Sequence, residues 1–169
     1  MVGDEHPYVL VPGHGDSTVR VVQRAGSRME LAAWNIRLSD KPGMVVGDDV
    51  NGDRRKDIVV VHSDAVSIWL ARGDDFSQAQ GSPFAVRGAT EVATGDLDGD
   101  GVADVAVGPW DGDEVTVLTG RELTARKVRA CERPMGLAIA YLDGDRRGEI
   151  LAACANHNRF VVVTMLVSR

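Results

Sequence analysis

No window of the 169-residue sequence keeps a long 3.6-residue apolar period, so almost no helix is expected. No apolar run is long enough to span a membrane, no signal peptide is legible, and no low-complexity linker divides the chain. Basic runs interleaved with aromatics are missing, which argues against a nucleic-acid partner. Aromatics make up only 5% of the chain, few for a lectin. There are two cysteines, Cys131 and Cys154. The length suits one domain.

What the sequence does have is aspartate in a fixed pattern. The stretch GDLDGDGVADVAVGPW places Asp96, Asp98, Asp100 and Asp104 at positions 1, 3, 5 and 9 of a loop, with Gly101 at position 6. An acidic turn before a strand needs no function, because Asp and Gly favour turns. The spacing here is narrower. Alternate residues of a tight loop point inward, four carboxylates so close repel, and oxygen donors without His or Cys select calcium or magnesium over zinc. An EF-hand is excluded, since position 12 is Val107 and the flanks read as strands.

The loop recurs. Asp49, Asn51, Asp53 and Asp57 occupy the same four positions in GDDVNGDRRKDIVVV. AYLDGDRRGEILAA supplies Asp143, Asp145 and Glu149, with Tyr141 at the first. Loop starts at 49, 96 and 141 give periods of 47 and 45 residues, the spacing of β-propeller blades. Short apolar strands flank each loop: GMVVGDD and DIVVVHS, EVATGDL and DVAVGPW, GLAIAYL and EILAACA. Third strands follow at AVSIWLARG, EVTVLTG and RFVVVTML, with weaker fourth strands at SPFAVRG and LTARKVRA. Several strands are apolar at nearly every position, as in a sheet covered on both faces.

GDLDGDGVADVAVGP followed by EVTVLTG resembles the FG-GAP or VCBS-type repeat of integrin-α-like β-propellers. The resemblance implies that a calcium loop joins the first and second strands of each blade. Asp96, Asp98, Asp100 and Asp104 would then ligate with the Val102 carbonyl, and Asp49, Asn51, Asp53 and Asp57 with the Arg55 carbonyl. The first loop departs in having Arg54 at the glycine position, where a left-handed backbone costs about 1–2 kcal/mol. The third departs further. Tyr141 is a poor ligand, and Arg146 or Arg147 could pair with Asp143 and Asp145 in place of metal. Two structural calcium ions would take the net charge from −6 to −2.

The expected architecture is therefore an all-β propeller of four-stranded blades. Blade-like units fall at about 7–38, 43–88, 90–130 and 135–167. Fourteen strands make three and a half blades; the N-terminal unit lacks its first strand and the C-terminal unit its last. A four-bladed ring, a homodimer that completes a larger ring, and a piece of a longer chain all remain open. Cys131 and Cys154 fall in different units and are expected as buried free thiols. The resemblance points outside the cell, whereas the start MVGDEHPYVLV also fits a cytoplasmic chain.

The leading functional expectation is a calcium-stabilised binding or adhesion module with a protein or carbohydrate ligand and no catalysis of its own. The competing one is a lyase or small-molecule tailoring enzyme on the rim or central channel. Its acid–base candidates are His14, His62 and His157, all just after second strands. Arg72-Gly73-Asp74 spells an adhesion tripeptide but sits where a turn is natural. Among the tryptophans (Trp34, Trp69, Trp110), Trp69 reads as core and Trp110 as the best ligand contact.

Overall fold

A computed structural model describes residues 8–25, 27–73, 75–156 and 159–165. The fold is all-β. Fifteen strands among the described residues form four antiparallel sheets in chain order. The first sheet holds β1 (Tyr8–Gly13), β2 (Thr18–Ala25) and β3 (Arg28–Arg37). The second holds β4 (Pro42–Asp48), β5 (Asp57–His62), β6 (Ala65–Arg72), β7 (Asp75–Gln78) and the short β8 (Phe84–Ala85). The third holds β9 (Ala89–Gly95), β10 (Asp104–Pro109), β11 (Glu114–Thr119) and β12 (Thr124–Arg129). The fourth holds β13 (Pro134–Ala140), β14 (Glu149–Cys154) and β15 (Arg159–Val163). No helix among the described residues is long and apolar enough to cross a membrane.

These sheets stack face to face as propeller blades. The continuous apolar runs follow from that stacking. In β5, Ile58 and Val60 pack into the core shared with the first sheet, and Val59 and Val61 into the core shared with the third. In β10, Val105 and Val107 face the second sheet and Ala106 faces the fourth. Alternate side chains therefore enter different cores, and all of them are apolar.

First strands β4, β9 and β13 pack in sequence, and β1 lies against β4 as β5 lies against β9 and β10 against β13. β1 thus occupies a second-strand place, and the first sheet lacks an inner strand among the described residues. The outward faces of the end sheets carry exposed apolar side chains: Val9, Val11 and Leu31 on one, Phe160 and Val162 on the other.

Two expectations are corrected. The fourth strand of the second sheet is Asp75–Gln78, which pairs with the C-terminal half of β6; from the SPFAVRG segment only Phe84–Ala85 pairs, with Ala65 and Val66. The eight-residue β6 is long enough to take a different partner on each half. Cys131 and Cys154 are not free thiols. They form a disulfide with a Cα–Cα distance of 5.9 Å. Cys154 pairs with Pro134 at the start of β13, three residues after Cys131, so strand pairing brings the two sulfurs together.

Candidate metal loops and rim cavities

The three loops join β4 to β5, β9 to β10 and β13 to β14, all at one rim. Their polar groups repeat position by position. Each acid or amide at position 3 accepts the backbone N–H of position 5: Asn51 from Asp53 at 2.8 Å, Asp98 from Asp100 at 3.1 Å and Asp143 from Asp145 at 3.1 Å. Each acid at position 5 accepts the N–H of position 7, from Arg55, Val102 and Arg147. These are successive Asx turns. Position 1 gathers the loop further. Asp49 accepts from Gly52, Asp53 and Arg54, and Asp96 from Gly99 and Gly101. Tyr141 cannot do this in the third loop; its hydroxyl accepts instead from the Asp96 N–H at 3.3 Å.

The ninth-position acid has a role that the ligand pattern alone did not reveal. Asp57, Asp104 and Glu149 are buried at 0%, 1% and 3% exposure. Each accepts the N–H of position 2, from Val50, Leu97 and Leu142. Asp57 also accepts from Ala71, and Asp104 from Gly120, both at the end of a third strand. These carboxylates latch the loop to the blade. Burial pushes the Asp57 and Asp104 carboxyls up to about 6, and the charges of neighbouring loop aspartates add to that rise.

Glycine at position 4 was a second unread signal. Gly52, Gly99 and Gly144 all have positive φ, at 76°, 85° and 83°. At position 6, Gly101 has φ 83° and Arg54 takes the same left-handed region at 67°.

Carboxylate oxygens of Asp96, Asp98 and Asp104 lie within 4.8 Å of one another, as do those of Asp143, Asp145 and Glu149. Both groups could hold a metal ion. All their donors are hard oxygens held within a few ångströms of one another, so the residues fit a divalent cation. Asp49, Asp53 and Asp57 do not gather in the same way; the Asn51 amide nitrogen donates to Asp57 Oδ1 at 3.4 Å. The alternative ion pairs of the third loop do not form. Arg147 extends over Gly99, and among the described residues neither Arg146 nor Arg147 makes a salt bridge.

At the opposite rim, a cavity of about 300 Å³ is lined by His14, Lys41, His62, Thr90 and Trp110, among others. His62 is buried, its Nε2 lies 2.7 Å from Ser67 Oγ, and burial lowers its pKa. Trp110 is 50% exposed, and the Arg133 guanidinium sits 4.7 Å from its ring centroid. His157 and Asp74 lie outside the described residues, as does the Trp34 side chain. Trp69 packs against the core between the first two sheets.

The spacing of the loops, their place between first and second strands, and the stacked blades agree with a comparison of families. Residues 49–107 match the FG-GAP-like repeat. This segment is an FG-GAP-type repeat. It runs from the first acid of one loop, across a blade, to the strand after the next. The FG-GAP-type segment sits in a chain whose whole length resembles solved structures. One is the crystal structure of BBS1N in complex with ARL6DN, soaked with lead, with TM-score 0.63 and 12% identity over 98% of this chain. The same complex soaked with mercury gives TM-score 0.54 and 13% identity over 95%. The chain spans 55% and 57% of the length of those two chains. At such identity the likeness establishes the fold alone. No curated protein matches this chain.

Proposed function

We propose that this chain is a calcium-stabilised β-propeller module that binds a protein ligand outside the cell and performs no catalysis. The observation that carries the reading is the loop rim, where the carboxylates of Asp96, Asp98 and Asp104 converge within the FG-GAP-type segment and those of Asp143, Asp145 and Glu149 converge in the loop that follows it. Asp96, Asp98, Asp100 and Asp104 hold one ion in this reading; Asp49, Asn51, Asp53 and Asp57, whose carboxylates do not converge by themselves, close around a second as it binds. Calcium supplies charge neutralisation and cross-linking of the loop; binding is carried by the rims. Protein recognition is supported by the fold-level neighbour BBS1N, solved in complex with ARL6DN. The disulfide supports an oxidising compartment. Exposed apolar faces on the end sheets support completion of the ring by a second copy.

The test is a thermal melt in calcium and in EDTA, followed by binding to an array of purified extracellular proteins under both conditions. A calcium-dependent rise in melting temperature with ligand capture in calcium supports the reading. An unchanged melt, or no captured ligand in calcium, overturns it.

A second reading is favoured by one observation: His14 and His62 line the same cavity. An enzyme acting there on a small molecule would lose turnover on His62→Gln.

A further inference from the structure

A larger cleft lies between the second and third sheets at the rim of the acidic loops. Its volume is about 660 Å³, within the range of ligand sites. Leu70, Phe84 and Leu123 give it an apolar floor that continues the core between those sheets. Arg72 and Arg121 stand on its walls, together with Asn51 and one carboxylate, Glu122.

The two arginines differ from others on the surface. Arg20 pairs with Asp16, and Arg129 with Asp113 at 3.0 Å. Among the described residues, neither Arg72 nor Arg121 makes a salt bridge. Each is nevertheless anchored by one N–H. Arg121 Nη1 donates to the Asn51 carbonyl at 3.1 Å, and Arg72 Nε to Ser77 Oγ at 3.4 Å. Gly52 permits the first anchor, since a Cβ there would come within 2.7 Å of Arg121 Nη2. A guanidinium carries five donors, so most remain available on a side chain already partly ordered. On a chain of net charge −6, the cleft lining sets two guanidinium groups against one carboxylate.

We propose that the cleft binds an acidic peptide segment of a protein partner, resting on the reading of the chain as a protein-binding module. A Glu or Asp carboxylate of that segment sits on Arg72 and Arg121 through charge-assisted hydrogen bonds. A neighbouring large apolar side chain covers the floor formed by Leu70, Phe84 and Leu123. The floor is what selects a peptide over an acidic glycan, which has no such group to bury. Glu122 disfavours runs of acid without an apolar neighbour.

The test uses the full chain in calcium buffer against an array of octapeptides. Each carries Phe or Leu flanked by Glu, with matched versions in which Glu is Gln or Lys. A heparin octasaccharide serves as a non-peptide anion. The Glu peptides are expected to bind at least tenfold tighter than their Gln versions, to weaken as salt rises, and to lose at least tenfold in both Arg72→Gln and Arg121→Gln. Among the described residues the Arg72 side chain bonds within its own sheet's edge, so its variant keeps the test decisive if Arg121→Gln destabilises the loop. Equal binding of Glu and Gln versions, or tighter binding of heparin, overturns the proposal. Peptide binding that survives Arg72→Gln also overturns it while leaving the wider module reading intact. Absence of any peptide binding overturns it too; the wider reading falls with it only if the extracellular protein array is also silent.

Discussion

The Ala103 amide donates to the Asp49 carbonyl at 3.0 Å, joining the eighth position of one loop to the first position of the loop before it. The same bond recurs between Gly148 and Asp96 at 2.7 Å. The loops therefore form a chain along the rim, each resting on its neighbour. An ion that rigidifies one loop also braces the next blade.

From this arrangement, calcium should raise the stability of the whole stack. At about 100 times its dissociation constant an ion adds about 2.7 kcal/mol per site. Asp98→Ala should abolish the part of the calcium-dependent rise in melting temperature that belongs to the second loop. An identical response to calcium and EDTA in wild type and Asp98→Ala would reduce that loop to an acidic turn.

The latch and the outer carboxylates should separate in metal-free buffer. Asp104→Ala strands the Leu97 and Gly120 N–H groups and should cost about 3 kcal/mol even in EDTA. Asp100→Ala removes one exposed Asx turn and should cost less than about 1 kcal/mol there. Urea denaturation of both variants in EDTA measures the difference.

The raised carboxyls of Asp57 and Asp104 set a pH dependence. Folded, each holds its proton up to about 6, against an ordinary aspartate value of 3.8. The folded state then binds more protons between those values, so the penalty is fully present above pH 6 and fades as pH falls toward 4. Without metal, these two groups should raise stability as pH drops from about 7 to 5. Saturating calcium favours the charged form and should reverse their contribution. Melts across this range, with Asp104→Asn as control, test both signs.

The Cys131–Cys154 bridge encloses a separation of 23 residues. Loop closure of that length is worth about 3 kcal/mol. Reduction, or Cys154→Ala, should lower unfolding free energy by about that amount, read by denaturation with and without reductant.

The sequence alone determined the blade architecture and the three loops. Both rest on local periodicity: positions 1, 3, 5 and 9 sit within one turn-rich segment, and Val-rich strands recur at a fixed distance from it. Arg54 in the left-handed region was legible for the same reason, because position 6 of a tight loop demands that backbone whatever residue fills it. Tertiary structure decided what depends on pairing between distant segments. The disulfide required β13 to bring the neighbourhood of Cys131 onto Cys154. The latch of Asp104 required the end of β11 to supply the Gly120 N–H, sixteen residues away. Placing His14 beside His62, and Arg72 across a cleft from Arg121, required neighbouring blades to stack. Periodicity carries no information about which side chains meet across a blade seam, since that is fixed by how the apolar faces pack.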